Sequence, residues 1–114
     1  MNRIELIRLI VLNEICDDYE NVDQIILQGA AKEGAAYGLT IDRRDVVAAL
    51  GWLIEQGLAK AYLLSSLSPH HTELHGMPQL DTIEENFQTY FYIAKKGMEH
   101  HLSRRDSGPP LGPD

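Results

Sequence analysis

At 114 residues, with 10 Lys and Arg against 17 Asp and Glu, the chain is long enough for one modest domain and carries a net charge of −7. That balance argues against a surface that grips nucleic acid everywhere, because phosphate neutralisation needs Lys and Arg. A hydrophobic fraction of 44% is ordinary for a globular protein, and the single cysteine, Cys16, excludes an internal disulfide framework.

No apolar run is long enough to span a bilayer. The opening Met-Asn-Arg leads directly into a helical pattern and is not read as a signal peptide. A cytoplasmic protein without a membrane partner is expected. Charge is unevenly spread. Residues 1–36 carry three bases and seven acids, and residues 37–65 balance at three of each. Residues 66–94 hold four acids and no Lys or Arg, and residues 95–114 hold four bases and three acids.

The first predicted helix covers residues 3–16. Ile4, Ile7, Leu9, Ile10, Val11, Leu12 and Ile15 place apolar groups on more than one face. Such a helix is either the middle of the core or shared with a second subunit, so a homodimer is expected as one outcome. Cys16 is read as a small packed residue. Asn21 is the cap of a second helix running to about Ala36, with Ile25, Ile26, Ala30 and Ala31 inward. Gly29 and Gly34 either let neighbouring helices approach closely or cause fraying. Gly38 supplies the left-handed residue of the following turn.

Residues 39–64, LTIDRRDVVAALGWLIEQGLAKAYLL, are the organising stretch. Asp42 is a helix N-cap and Asp45, three residues on, can reach back to it. Val46, Val47, Leu50, Leu53 and Ile54 recur at helical spacing and form the inner face. Arg43, Arg44, Ala48, Gly51 and Glu55 fall on the other side. Gly57 closes the helix, and residues 58–64 read as a strand. Residues 65–87, with Pro69, Gly76 and Pro78, read as an extended loop with a short helical piece near Asp81–Asn86. Residues 88–94 form a returning strand, antiparallel to 58–64, with Tyr90 and Tyr92 on one face and Phe91 and Ile93 on the other. A last helix follows, with Met98 and Leu102 inward.

In this order the elements resemble a winged helix-turn-helix domain. Leu50, Leu53, Gly57 and Leu58, followed later by Ile93-Ala94-Lys95-Lys96-Gly97, carry the resemblance. It implies an α+β, mainly α fold: a three-helix core, a two-stranded β wing and a C-terminal helix. The domain would cover residues 1–104, with a wing loop at 65–87 and a disordered tail at 105–114. It further implies a DNA-binding transcriptional regulator in which Arg43 and Arg44 enter the major groove. There an arginine can fork onto a guanine edge or a phosphate. Lys95 and Lys96, with Arg104 and Arg105, would add phosphate contacts. A plainer role for Arg43 and Arg44 is as solvated residues neutralised by Asp42 and Asp45. A neutral recognition helix and an acidic wing depart from the DNA-binding pattern. They keep open a second reading, a protein-interaction module that does not bind DNA. Trp52, between the inner and outer sides of its helix, either covers the core edge or anchors a protein partner.

Chemistry finds few candidates. There is no phosphate-binding glycine loop, metalloprotease helix or nucleophile elbow, so no enzymatic activity and no cofactor are expected. His70, His71 and His75 lie close together with Glu73 between; on a helical turn His71 and His75 could bind zinc with Glu73 or another ligand, but the flanking prolines and glycine argue against that turn. No metal is expected.

Overall fold

A computed structural model of the chain describes residues 2–16, 20–65, 68–78, 80 and 89–107, with side chains defined for those up to 102 except 64, 65 and 68–71. The described residues form an α+β, mainly helical structure with one three-stranded antiparallel sheet, in which Ala59–Ser65 (β1) lies between Ser68–Leu74 (β2) and Thr89–Ile93 (β3). None of their helices is long and apolar enough to cross a membrane.

Helix α1 runs Arg3–Glu14. Asn2 starts it: its side-chain oxygen accepts from the Glu5 amide at 2.9 Å, and its Nδ2 donates to Glu5 Oε1 at 3.2 Å. Four orphan amides open every helix, and this reciprocal pair satisfies one of them while tethering the cap. Ile7, Ile10, Val11 and Leu12 are buried, whereas Ile4 is 59% exposed. After the helix, Cys16 is buried and its Sγ donates to the Asn13 carbonyl at 3.0 Å.

The second helical unit begins with a single π-type turn, Val22–Ile26, before α2 (Leu27–Ala35). Asn21 is buried; its side-chain oxygen accepts from the Gln24 amide, and its carbonyl accepts from Ile26 five residues on. The two helix glycines are close-approach positions. A Cβ at Gly29 would run into the Glu14 carboxylate, and one at Gly34 into the Ile41 side chain.

Helix α3 (Arg43–Glu55) starts with a complete capping box: Asp42 accepts from the Asp45 amide, and Asp45 accepts from the Asp42 amide. Val46, Ala49, Leu50 and Leu53 are buried, with Val47 and Ile54 half-buried at the rim of the same core. Its end is a Schellman closure. Leu58 donates to Leu53 and Gly57 to Ile54, with Gly57 at φ +74°.

Strand β1 (Ala59–Ser65) pairs with β3 (Thr89–Ile93) in the register Ala59↔Ile93 to Leu63↔Thr89. Thr89, Phe91 and Ile93 are buried while Tyr90 and Tyr92 are half-buried, as the alternation predicts. The outer edge of β3 is sealed by the chain after α1. Glu20 and Phe91 exchange both backbone bonds, and Ile93 donates to Ile15.

Three expectations are corrected. The sheet has three strands, because Ser68–Leu74 of the expected wing loop is β2, paired to the other edge of β1. Pro69 disguised it. Proline has no donor and is barred from central strands, but an edge strand has one unpaired side and accepts it. The final helix, α4 (Lys95–Ser107), buries Gly97 and His101 and half-buries Met98, while Leu102 is 47% exposed. A Cβ at Gly97 would strike the Leu58 carbonyl, so α4 packs at backbone contact distance on the turn between α3 and β1, with Gly97 and His101 inward. Helix α4 also continues past residue 104, the expected domain end. The expected helical piece at 81–86, and residues 108–114 of the expected tail, lie outside the described residues.

Candidate functional site

The two arginines at the start of α3 have different fates. Arg43 Nε donates to Asp23 Oδ1 at 2.9 Å and its Nη2 to the Leu80 carbonyl at 3.1 Å. It therefore ties α3 to the first turn of the preceding helical unit and to the segment before β3. Neither Asp42 nor Asp45 neutralises it. Asp45 instead receives a two-pronged contact from Arg3, at 3.0 and 3.3 Å, while Arg3 also donates to the Thr40 carbonyl. The Arg3 bond, then the Asp42 amide, holds the Asp45 carboxyl below its ordinary pKa. Arg44 is exposed and has no partner among the described residues.

Lys95 and Lys96 lie at the other end of α3. Lys96 Nζ donates to the Gln56 carbonyl at 3.0 Å, capping the negative end of the helix dipole, and Lys95 is exposed. Arg44 and Gln56 are separated by about 18 Å at 1.5 Å rise per residue. The four predicted bases thus do not converge. Two serve as internal ties, and the other two stand at opposite ends of the helix. The side chains of Arg104 and Arg105 lie outside the described residues.

The outward face of α3 is partly covered. Met77 Cγ would lie 3.8 Å from a Cβ at Gly51, and Leu80 reaches Arg43 nearer the start of the helix. Gly76–Pro78 and Leu80 therefore attend the side that a groove-reading helix would leave open.

Beside that covered strip, the Arg8 guanidinium lies over the Trp52 ring, 4.1 Å from its centroid. Trp52 is half-buried and packs on the core edge. The stack divides two hollows. One, of about 320 Å³, has a floor of Leu9, Leu12, Leu53 and Leu58 and a rim of Glu5, Arg8 and His100. The other, of about 680 Å³, lies between Arg8, Trp52, Glu55 and Met77. An arginine over a tryptophan ring is partly desolvated yet still has N–H groups to donate, so the pair offers apolar area and directed donors together. Sequence reasoning placed Trp52 but missed Arg8. The available signal was a lone cation in the apolar run of α1, four residues from Ile4 and Leu12.

A second cluster lies where α1 meets α2. Burial, then the charges of Glu33 and Glu20, raises the Glu14 pKa. Burial also raises that of Glu33, although Asn13 donates to its Oε1 at 3.2 Å and partly offsets the effect. The histidine segment does not form the helical turn that a shared ion would require. His70 and His71 lie in β2, and Glu73 pairs with Lys60 at 3.1 Å. Among the described residues no group of three or more His, Cys, Asp and Glu is placed to hold a metal.

The chain matches no protein-family model, no curated protein and no solved structure.

Proposed function

We propose that this is a non-enzymatic protein-interaction module on a winged helix-turn-helix scaffold, and that the surface around Arg8 and Trp52 holds the partner. Under this proposal α1, the second helical unit and α3 are the three-helix core, β1 and β3 are the wing strands, and β2 is an added edge strand. The proposal rests on the Arg8–Trp52 stack set between two hollows, one of them floored by four leucines. Trp and Arg are the residues most enriched among interface hot spots, and a stack that is already formed loses little freedom on binding.

The DNA-regulator alternative has less support. Arg43 is committed to Asp23 and Leu80, Lys96 to Gln56, and the net charge is −7. Of the four bases predicted to contact DNA, only Arg44 and Lys95 are exposed without a described partner, and they stand at opposite ends of α3, which does not favour a steep salt-dependent mode.

A displayed peptide library selected against the folded protein, with Arg8→Ala as counter-target, tests the proposal. Enriched peptides that carry a large apolar residue beside an acid, and that bind the variant at least tenfold more weakly, are the expected result. Peptides indifferent to Arg8, or no enrichment together with salt-sensitive DNA binding, would overturn it.

A further inference from the structure

We propose that the partner is a second copy of this chain, docked by antiparallel pairing of the N-terminal half of α1 across a twofold axis. The inference rests on the interaction-module reading and names the occupant of that surface.

On this part of α1, Leu6 packs against the core and Arg3 is tied to Asp45 and Thr40, which leaves Ile4, Glu5, Arg8 and Leu9 as the exposed or half-exposed residues of the outer face. Positions i, i+1, i+4 and i+5 of a helix share one face. In order they read apolar, acid, base, apolar. Turn the stripe end over end about a point between residues 6 and 7, and it meets its own complement. Ile4 then faces Leu9 of the second copy, and Glu5 faces its Arg8, each contact occurring twice. A twofold interface is isologous, so this is the pattern such an interface needs.

The local chemistry keeps the two charges available for that pairing. Although Glu5 and Arg8 are three residues apart, Arg8 is turned onto Trp52. Among the described residues, the Glu5 carboxylate takes its hydrogen bond from Asn2 of the helix cap. Arg3, the other nearby cation, is taken up by Asp45 and Thr40 and does not compete for the incoming carboxylate. Ile4, at 59% exposure, is a large apolar side chain that the fold leaves in water. The stripe spans only about 8 Å of helix. The two flanking hollows, with Ala48, Trp52 and Met77, must therefore contribute to the buried area, and the dimer depends on concentration.

Sedimentation velocity on the full chain across a concentration series, with matched circular dichroism to confirm folding, provides the test. Wild type should dimerise, and Glu5→Arg and Arg8→Glu should each lose at least tenfold in self-association. Mixed in equal amounts, those two variants should recover a heterodimer near wild-type affinity, because each opposes the other's altered charge. Ile4→Asp leaves the stack intact and should also be monomeric. A wild type that stays monomeric, single variants that dimerise normally, or a mixture that fails to recover would each overturn the second-copy inference. Peptide binding that still depends on Arg8 in a monomeric protein would preserve the module reading and remove only this choice of partner.

Discussion

The guanidinium of Arg8 lies 4.1 Å from the centre of the Trp52 ring and joins the outer surfaces of α1 and α3. An exposed cation–π contact contributes about 0.5–1 kcal/mol. Arg8→Ala should lower unfolding free energy by that amount in a urea titration. Trp52 is the only tryptophan, so its fluorescence reports this place alone. Its emission should move to longer wavelength in the variant as water reaches the uncovered ring face.

Arg43 and Arg44 are neighbours in sequence with separate roles, and substitution should separate them. Arg43→Ala removes the tie to Asp23 and Leu80 and should cost about 1 kcal/mol, as expected for a partly exposed charge-assisted contact. Arg44→Ala touches no described partner and should stay within about 0.5 kcal/mol of wild type. Equal losses in the two urea midpoints would contradict this assignment.

Two glycines give opposite expectations. In Gly97→Ala the new Cβ meets the Leu58 carbonyl, a backbone atom that cannot swing aside, so the change should destabilise by about 1–3 kcal/mol. Gly51→Ala meets only Met77 at ordinary contact distance in mid-helix and should stabilise by up to about 1 kcal/mol. Thermal melts of the two variants, run side by side, check both signs.

Stability should respond to pH in two separate windows. Glu14 and Glu33 have pKa values raised chiefly by burial, so the folded state holds their protons more tightly than the unfolded chain. Their contribution is favourable below the ordinary carboxylate range and is lost as pH rises through the raised values. Asp45 is lowered chiefly by its Arg3 bond, so its contribution is present above the ordinary Asp value and fades as pH falls through the depressed one. Glu14→Gln should flatten the upper window and Arg3→Ala the lower one. Urea titrations at closely spaced pH values measure both slopes.

Much of the backbone was legible from local chemistry. Asp42 and Asp45 form the predicted box, Gly57 takes the predicted left-handed turn, and the Phe91 face of β3 points inward as its alternation requires. These depend on neighbours within a few residues. What was not legible depends on distant partners. Nothing near Arg43 in sequence indicates that Asp23 and the Leu80 carbonyl would claim it, and nothing near Asp45 points to Arg3. The β2 strand was hidden because proline is a breaker everywhere except at a sheet edge, and edge status is a property of the assembled sheet. Leu102 was assigned inward by periodicity, but the close packing at Gly97 rotates α4 and exposes it. The Arg8 surface was missed because its partner, Trp52, lies two helices away.

The central claim is that the surface built on α1 and α3 serves protein contacts and not nucleic acid. Binding to random duplex DNA across a salt series, comparing wild type with Arg44→Ala/Lys95→Ala, tests it most directly. The account predicts no measurable binding even at low salt, and no difference between the two proteins. Binding that weakens steadily with salt, and weakens further in the double variant, would contradict it and place these two cations on phosphate.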